Sequence, residues 1–185
     1  MNGTQPLQYA LVAYVHNTLG RFVEDMRRDL HPEHSHLAAH ITILPPRFLA
    51  GTEAEAVELL QREIPRSSAF EVSFGAVESF YPRTPTVFIK VEECIGHLYA
   101  LHERLNAGPL LFAEQWPYAP HLTIVKMPEL AQTDAALSEA RLRWTRFHGR
   151  RTVRIEELTF VREGLHKPWV DVATISLQRP VTISV

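Results

Sequence analysis

Strand-like and helix-like hydrophobic patterns follow one another from the start of the chain. Residues 8–15, apolar from position 9 and without a strand breaker, predict a buried strand. The apolar residues after it recur at helical spacing, with Asn17 as the expected N-cap. Residues 38–44 predict a second strand. We expect this strand to stop at Pro45 and Pro46, because proline cannot donate a hydrogen bond to a sheet.

The next elements predict a helix followed by a hairpin. Thr52 and Glu55 have the spacing of a capping box, so a helix is expected to begin there. Residues 70–80 and 85–91 have the composition of two strands. Because a short turn-forming segment joins them, we expect them to pair in the antiparallel sense.

A similar order of elements recurs in the second half of the chain. The apolar spacing over 95–105 predicts a helix, and 121–125 predicts a strand. Thr133 is the expected cap of a further helix. Residues 153–161 and 169–177 predict the last two strands.

The two halves share one sequence offset. His40 and His121 are 81 positions apart, and the same offset brings Thr52 onto Thr133. A common offset for a motif and a helix start indicates an internal duplication. We therefore predict a single domain, 1–185, made of two related lobes that pack closely together.

The strongest chemical signal is a pattern that occurs twice, His40-Ile41-Thr42-Ile43 and His121-Leu122-Thr123-Ile124. Side chains alternate between the faces of a strand, so the histidine and threonine of each segment point to the same side. Two such strands facing one cleft would present two titratable bases and two hydroxyls. This combination suits a phosphate-processing site.

Bulk composition excludes some classes of protein. The chain has 185 residues and a formal net charge of −2, which argues against binding duplex DNA by bulk electrostatics. Cys94 is its single cysteine, so an intrachain disulfide and a cysteine-based zinc cage are excluded. Residues 1–6 lack the pattern of a signal peptide, and the apolar run 9–15 is too short to span a bilayer. We expect a cytoplasmic protein that is monomeric, binds no membrane and needs no protein partner.

The longer strings 39–46 and 120–124 resemble the two motifs of the 2H phosphoesterase superfamily, in particular its bacterial 2′-5′ RNA ligase/cyclic phosphodiesterase (LigT-like) branch. The resemblance implies an α+β fold, with two pseudo-symmetric lobes of antiparallel β-sheet flanked by helices around a central cleft. It implies that His40 and His121 are catalytic and that Thr42 and Thr123 bind phosphate. It also implies RNA ends or small cyclic nucleotides as substrates.

The expected chemistry is the opening of a 2′,3′-cyclic phosphate without a metal or other cofactor. Water must lose a proton and a ribose oxygen must gain one, and two imidazoles on opposite sides of the phosphate can divide those tasks. The two threonine hydroxyls would donate hydrogen bonds to the non-bridging oxygens. The reverse reaction with a 5′-hydroxyl would form a 2′-5′ bond. The sequence leaves open which histidine is the acid and which is the base.

Two other functions stay open at this stage. One is a non-catalytic RNA- or nucleotide-binding module that has the same cleft. The other is a metal-dependent hydrolase built on the histidines at 31, 34, 36 and 40, although only one carboxylate, Glu33, lies near them. We interpret that cluster as a polar loop.

Several residues outside the motifs are candidate substrate contacts. Arg47 and Lys126 each follow a motif strand, and Tyr118 is the aromatic residue that we expect to stack on a base. Four other aromatic residues are also placed where they could stack on a base, but we expect them mainly in the core: Tyr81, Trp116, Phe160 and Trp169. The basic stretch of residues 141–154 is interpreted as a solvated helix face, with guidance of an RNA strand as the alternative.

Overall fold

The predicted strands assemble into one curled antiparallel sheet that carries helices on one face. The computed structural model describes residues 6–34, 37–164 and 169–179. The elements are β1 (Tyr9–Tyr14), α1 (Thr18–Leu30), β2 (His40–Arg47), α2 (Glu53–Glu63), β3 (Phe70–Ser79), β4 (Thr86–Glu93), α3 (Ile95–Leu105), β5 (His121–Lys126), α4 (Thr133–Thr145), β6 (Thr152–Ile155), β7 (Glu157–Glu163) and β8 (Trp169–Ser176).

The sheet consists of two four-stranded halves that meet at β5 and β2. Its strand order is β6-β3-β4-β5-β2-β1-β7-β8, and the strand pairs are antiparallel. At the junction a single residue pair, Ile41 with Leu122, joins the halves. The α+β fold with antiparallel strands is therefore confirmed, and the internal duplication stays a prediction.

Strand alternation decides which residues of the central strands reach the core. Ile41 and Ile43 of β2 are fully buried, as are Leu122 and Ile124 of β5, and all four belong to the main hydrophobic cluster beneath the helices. The residues between them are only half buried. The two motifs thus use one side of each strand to anchor it and the other side to face outwards.

The start of each of the first two helices is capped as expected. The Asn17 side chain accepts hydrogen bonds from the backbone N–H groups of Leu19 and Gly20. Thr52 and Glu55 form a complete capping box at α2, each side chain accepting from the other's backbone N–H. These contacts satisfy N–H groups that the first helical turn leaves without partners.

Three local predictions are wrong. Strand β2 does not stop at Pro45 but runs to Arg47, because the register against β1 shifts there and the two prolines need not donate to the ladder. Thr133 does not cap α4. Its side chain is fully buried, and a short 3₁₀ turn, Leu130–Gln132, leads into the helix instead.

The third correction concerns the predicted strand 153–161. It is two strands, β6 and β7, which separate at Glu156 and lie in different halves of the sheet, beside β3 and β1 respectively. No α-helix in the described part of the chain has the length and apolar character needed to cross a lipid bilayer.

Candidate active site

The two His-x-Thr motifs lie on the neighbouring central strands β2 and β5. One step from the pair that joins these strands, the antiparallel register places His40 across from Thr123 and Thr42 across from His121. All four side chains are half buried and lie on the face that turns away from the helices. The fold thus brings together the four residues that the sequence singled out.

Both imidazole rings are oriented by the same backbone contact. His40 Nδ1 lies 2.8 Å from the carbonyl oxygen of Ala38, and His121 Nδ1 lies 2.6 Å from that of Ala119. A carbonyl can only accept a hydrogen bond, so each Nδ1 carries the proton and donates it. In the neutral rings this leaves the lone pair on Nε2, where it can take or return a proton.

The surroundings of the two histidines favour their neutral forms. Burial lowers the pKa of both His40 and His121, and the hydrogen bonds to the backbone carbonyls oppose part of this effect. The positive charge of Arg27 and the proximity of His121 lower the pKa of His40 further. A low pKa suits a general base, which must be unprotonated when it receives a proton.

Aromatic rings surround the histidines, and sequence reasoning missed them. The Phe80 ring meets His121 edge-on, with the ring centres 4.9 Å apart, and the Phe88 ring centre is 5.0 Å from that of His121. Tyr14 lies edge-on to His40 at 6.4 Å. Their proximity follows from strand pairing, which opposes Tyr14 to His40 across β1 and β2, and no spacing along the chain reveals it.

A cavity of about 810 Å³ opens beside His121. Its volume lies within the range of small-molecule and cofactor sites. The walls include both threonines and His121 of the motifs together with the turn between β3 and β4 and the segment before β5. The lining residues are Thr42, Pro45, Pro46, Phe80, Arg83, Thr84, Thr86, Tyr99, Phe112, Glu114, Gln115, Trp116, Pro117, Tyr118, Ala119, His121, Thr123 and Lys126.

Two of the three candidate contacts outside the motifs line this cavity. Lys126 is exposed at the end of β5, within reach of a ligand in the cavity. The Tyr118 hydroxyl donates to the carbonyl oxygen of Thr42 at 2.9 Å, and one ring face is stacked on His102 with ring centres 4.0 Å apart. Contact with substrate stays a prediction for both residues.

The prediction that Arg47 contacts substrate is wrong, because its side chain is completely buried behind the cavity wall. Its guanidinium donates to the carbonyl oxygens of Pro45 and Leu110 and to the side chains of Asn106 and Glu114. With these partners it holds the wall segment in place and has no access to a phosphate in the cavity.

The alternative metal site has little support from the structure. Within the described ranges, no group of three or more His, Cys, Asp or Glu side chains is placed to hold a metal ion. Ser35 and His36 of the predicted cluster lie outside the described residues.

Most of the basic stretch is occupied by contacts within the protein. Arg141 donates to the carbonyl oxygen of Val77, and Arg151 lies over the Trp144 ring at 4.2 Å. Two further arginines pair with carboxylates, Arg143 with Asp29 and Glu139, and Arg154 with Glu156. These contacts favour the interpretation as a solvated surface.

The expectation that the remaining aromatic residues lie in the core is confirmed for Phe160 and wrong for Tyr81 and Trp116. Phe160 is fully buried and stacks on Tyr9, so it is not available to a base. Trp116 lies at the cavity and is about half exposed, with the Arg83 guanidinium 4.8 Å from its ring centre. Tyr81 is exposed, and Trp169 packs against a small cluster on β1 and β7.

Comparison with known proteins agrees with this geometry. A protein of Oceanobacillus iheyensis named "Putative phosphoesterase" is 29% identical over 122 residues, which cover 65% of this chain and 71% of the relative. A second protein with that designation, from Halalkalibacterium halodurans, is 28% identical over 119 residues, 64% of this chain and 69% of the relative.

Solved structures share the fold at low sequence identity. The crystal structure of LigT from E. coli in complex with NADP+ has a TM-score of 0.61 and 16% identity, covering 95% of this chain and 99% of LigT. A protein of Thermus thermophilus has the same TM-score and 17% identity, covering 94% and 99% of the two chains. At these identities the likeness concerns the fold.

The family is shown by a sequence model that matches residues 15–167, a span that contains both His-x-Thr motifs. The two motifs indicated a resemblance to 2H phosphoesterases of the LigT-like branch, and this match confirms it. The chain belongs to the 2′-5′ RNA ligase superfamily.

Proposed function

We propose that this protein is a metal-independent phosphodiesterase that opens the 2′,3′-cyclic phosphates of RNA ends or small nucleotides. The observation that carries the proposal is the pairing of two His-x-Thr motifs on adjacent strands, with both imidazoles fixed through Nδ1. The adjoining cavity provides room for the nucleoside that carries the phosphate.

In the proposed reaction, one neutral imidazole takes a proton from water through Nε2 as the water oxygen bonds to phosphorus. The bond from phosphorus to a ribose oxygen breaks, and the other histidine, protonated at Nε2, gives that oxygen a proton. Thr42 and Thr123 donate hydrogen bonds to the non-bridging oxygens, where negative charge increases in the transition state. Together the histidines and threonines can supply the acid–base steps and stabilise the charge.

The same site can open the cyclic phosphate with a different nucleophile. An RNA 5′-hydroxyl would take the place of water and bond to phosphorus while its proton passes to one histidine. The bond from phosphorus to the ribose 3′-oxygen would break, and the other histidine would give that oxygen a proton, so each histidine keeps the role it has in hydrolysis. The result is a 2′-5′ bond between two RNA ends. The choice between hydrolysis and ligation depends on which acceptor occupies the site.

Nucleotide complexes of a structural relative support a nucleotide as the ligand. Crystal structures of E. coli LigT contain 3′-AMP in one case and NADP+ in another. A nucleoside in the cavity of this chain would bring its phosphate to the motif residues that line one wall, Thr42, His121 and Thr123.

The test is hydrolysis of 2′,3′-cyclic AMP in excess chelator by the wild type and by His40→Ala, His121→Ala and the double variant. Each single variant should lose about 10²- to 10⁴-fold in kcat, because each removes a general acid or base. The double variant should be little worse than either single variant, since both residues act on one transition state. The matched control is His148→Ala, because His148 is exposed and distant in sequence from both motifs. This variant should keep wild-type activity.

Three results would contradict the proposal. Wild-type turnover in the double variant would remove the histidines from the chemistry. Loss of activity on chelation, with recovery on adding zinc or manganese, would favour a metal-dependent hydrolase. Tight binding of 2′,3′-cyclic AMP without any hydrolysis by the wild type would favour a binding module.

A further inference from the structure

Side chains from the opposite half of the molecule hold the backbone of the first motif strand. The Tyr118 hydroxyl, in the segment before β5, donates to the carbonyl oxygen of Thr42 at 2.9 Å. His102 of α3 donates from Nδ1 to the carbonyl oxygen of Ile43 at 2.8 Å. Two consecutive carbonyls of β2 therefore take hydrogen bonds from side chains beyond the central junction.

The second motif strand is held at the matching positions. Arg27 of α1 donates from Nη2 to the carbonyl oxygen of Thr123 at 2.7 Å and from Nε to that of Ile124 at 2.8 Å. It also donates to the carbonyl of Leu37, shortly before β2. Thr123 and Ile124 lie 81 positions after the two residues held on β2. The arrangement is thus repeated across the junction, with different side chains in each half.

These contacts matter because the sheet itself joins the two motifs only weakly. One residue pair links β2 to β5, whereas β1 pairs with β2, and β4 with β5, through five pairs each. Arg27 is almost completely buried, and its hydrogen bonds go to backbone carbonyls. Burial of a guanidinium costs free energy unless its donors are satisfied. The donors of Arg27 are satisfied by carbonyls on both sides of the junction, so Arg27 links the two strands.

We propose that Arg27, His102 and Tyr118 are positioning residues that fix the separation of the two His-x-Thr motifs. By holding the carbonyls of both threonines, they keep the two strands at the spacing at which both motifs contact one phosphate. The inference rests on the proposed function, because the spacing matters only if both motifs serve the same phosphate. A displacement of about 1 Å at a reacting centre can reduce a rate about 10²-fold.

A purely structural role for these residues predicts different behaviour. It predicts lower stability with unchanged kinetics of the molecules that remain folded. A positioning role predicts a lower kcat for the molecules that are folded. For Arg27 it also predicts a change in the pH profile, because its charge lowers the pKa of His40. In the described part of the chain, the charged and titratable groups around His40 are Arg27 and Glu24 of α1, Tyr14 of β1 and His121 of β5.

Paired substitutions separate the contact from the bulk of the side chain. Tyr118→Phe removes one hydroxyl and keeps the ring on His102. Arg27→Met removes every donor, whereas Arg27→Lys keeps the charge, and His102→Asn retains a donor that His102→Leu removes. Arg28→Met, in the next residue of α1, is the control, because Arg28 is exposed and pairs only with Asp25 in the described structure.

We expect Tyr118→Phe, Arg27→Met and His102→Leu to lower kcat for 2′,3′-cyclic AMP by about 10- to 100-fold, with KM changed by less than about threefold. Arg27→Lys and His102→Asn should recover part of the loss. Arg27→Met should also move to higher pH the limb of the kcat/KM profile that His40 determines, and Tyr118→Phe should leave that limb in place. The folded fraction of each variant is measured by circular dichroism and used to correct kcat.

A second readout does not depend on turnover. Inorganic phosphate is titrated into the protein while the imidazole resonances of His40 and His121 are followed by NMR. In the wild type one binding event should shift both resonances, and in Tyr118→Phe and Arg27→Met the two shifts should diverge or phosphate should bind at least about tenfold more weakly. Wild-type kcat in Tyr118→Phe and Arg27→Met, with unchanged phosphate binding, would overturn the proposal.

The two readouts keep this inference separate from the proposed function. A wild type that never hydrolyses the cyclic nucleotide, but whose phosphate titration depends on Arg27 and Tyr118, would end the proposed activity and keep the positioning role. Normal hydrolysis that none of the five variants changes would end the positioning role and keep the proposed activity.

Discussion

Removal of Arg47 should destabilise the protein more than removal of any exposed arginine. Its guanidinium makes four hydrogen bonds, the shortest of them at 2.6 Å to Glu114 and to Asn106, and its side chain is completely buried. Arg47→Met leaves the Glu114 carboxylate, which is only 14% exposed, without its main partner. Loss of one member of a buried ion pair costs about 3–5 kcal/mol in the free energy of unfolding.

That cost is large against the total stability of a domain, which is typically about 5–15 kcal/mol. For a chain of this length it corresponds to a fall in Tm of about 6–20 °C. Urea denaturation followed by circular dichroism, with a thermal scan of the same samples, measures both quantities. Because Phe112 and Glu114 line the cavity, KM for 2′,3′-cyclic AMP should rise in the fraction that stays folded.

Two further variants test the reasoning. Arg66→Met breaks an ion pair with Glu63 in which the arginine is 68% exposed, and it should cost less than about 1 kcal/mol. The double variant Arg47→Met, Glu114→Gln should be more stable than Arg47→Met alone, because it leaves no unpaired buried charge. If Arg47→Met costs no more than Arg66→Met, Arg47 is not the support of the cavity wall that the contacts indicate.

The remaining predictions concern the histidines and threonines of the site. The kcat/KM profile for 2′,3′-cyclic AMP should be bell-shaped with its maximum below about pH 6.5, since the pKa of both His40 and His121 is lowered; a maximum at alkaline pH would contradict the low pKa values. Because folding favours the neutral imidazoles, their contribution to stability is present above about pH 6.5 and is lost as the pH falls through the lowered pKa values, which urea denaturation at a series of pH values measures. Thr42→Val and Thr123→Val should each lower kcat by about 10- to 150-fold, the equivalent of one hydrogen bond to a charged group, and unchanged kcat would exclude contact with the phosphate in the transition state.

Local features of the fold could be predicted from the sequence because short-range geometry determines them. The cap at Asn17 and the capping box at Thr52 depend on residues within one helical turn, and both are confirmed. The shared face of His40 and Thr42 follows from strand alternation alone. None of these inferences depends on which strands are neighbours in the sheet.

The errors arise where contacts join distant parts of the chain. Arg47 follows the first motif and was expected at the phosphate, but three of its four partners come from 106–114, about sixty positions later. The prolines at 45 and 46 were expected to end β2, and the register shift that accommodates them depends on β1. For the same reason the sequence did not reveal the contacts of Arg27 and His102, because the position of a residue in a helix does not show which strand its side chain will contact.

The two motifs are alike in sequence, yet the fold places them in different surroundings. His121 packs beside the stacked rings of Phe80 and Phe88 and forms part of the cavity wall. His40 instead contacts Tyr14, feels the charge of Arg27 and is not among the residues that line the cavity. In the proposed reaction one imidazole is neutral while the other is protonated, and surroundings that differ between the two histidines favour one assignment of these roles over the other. The side chains outside the motifs thus make the two His-x-Thr segments different, and in the proposed reaction they would determine which histidine acts as the acid and which as the base.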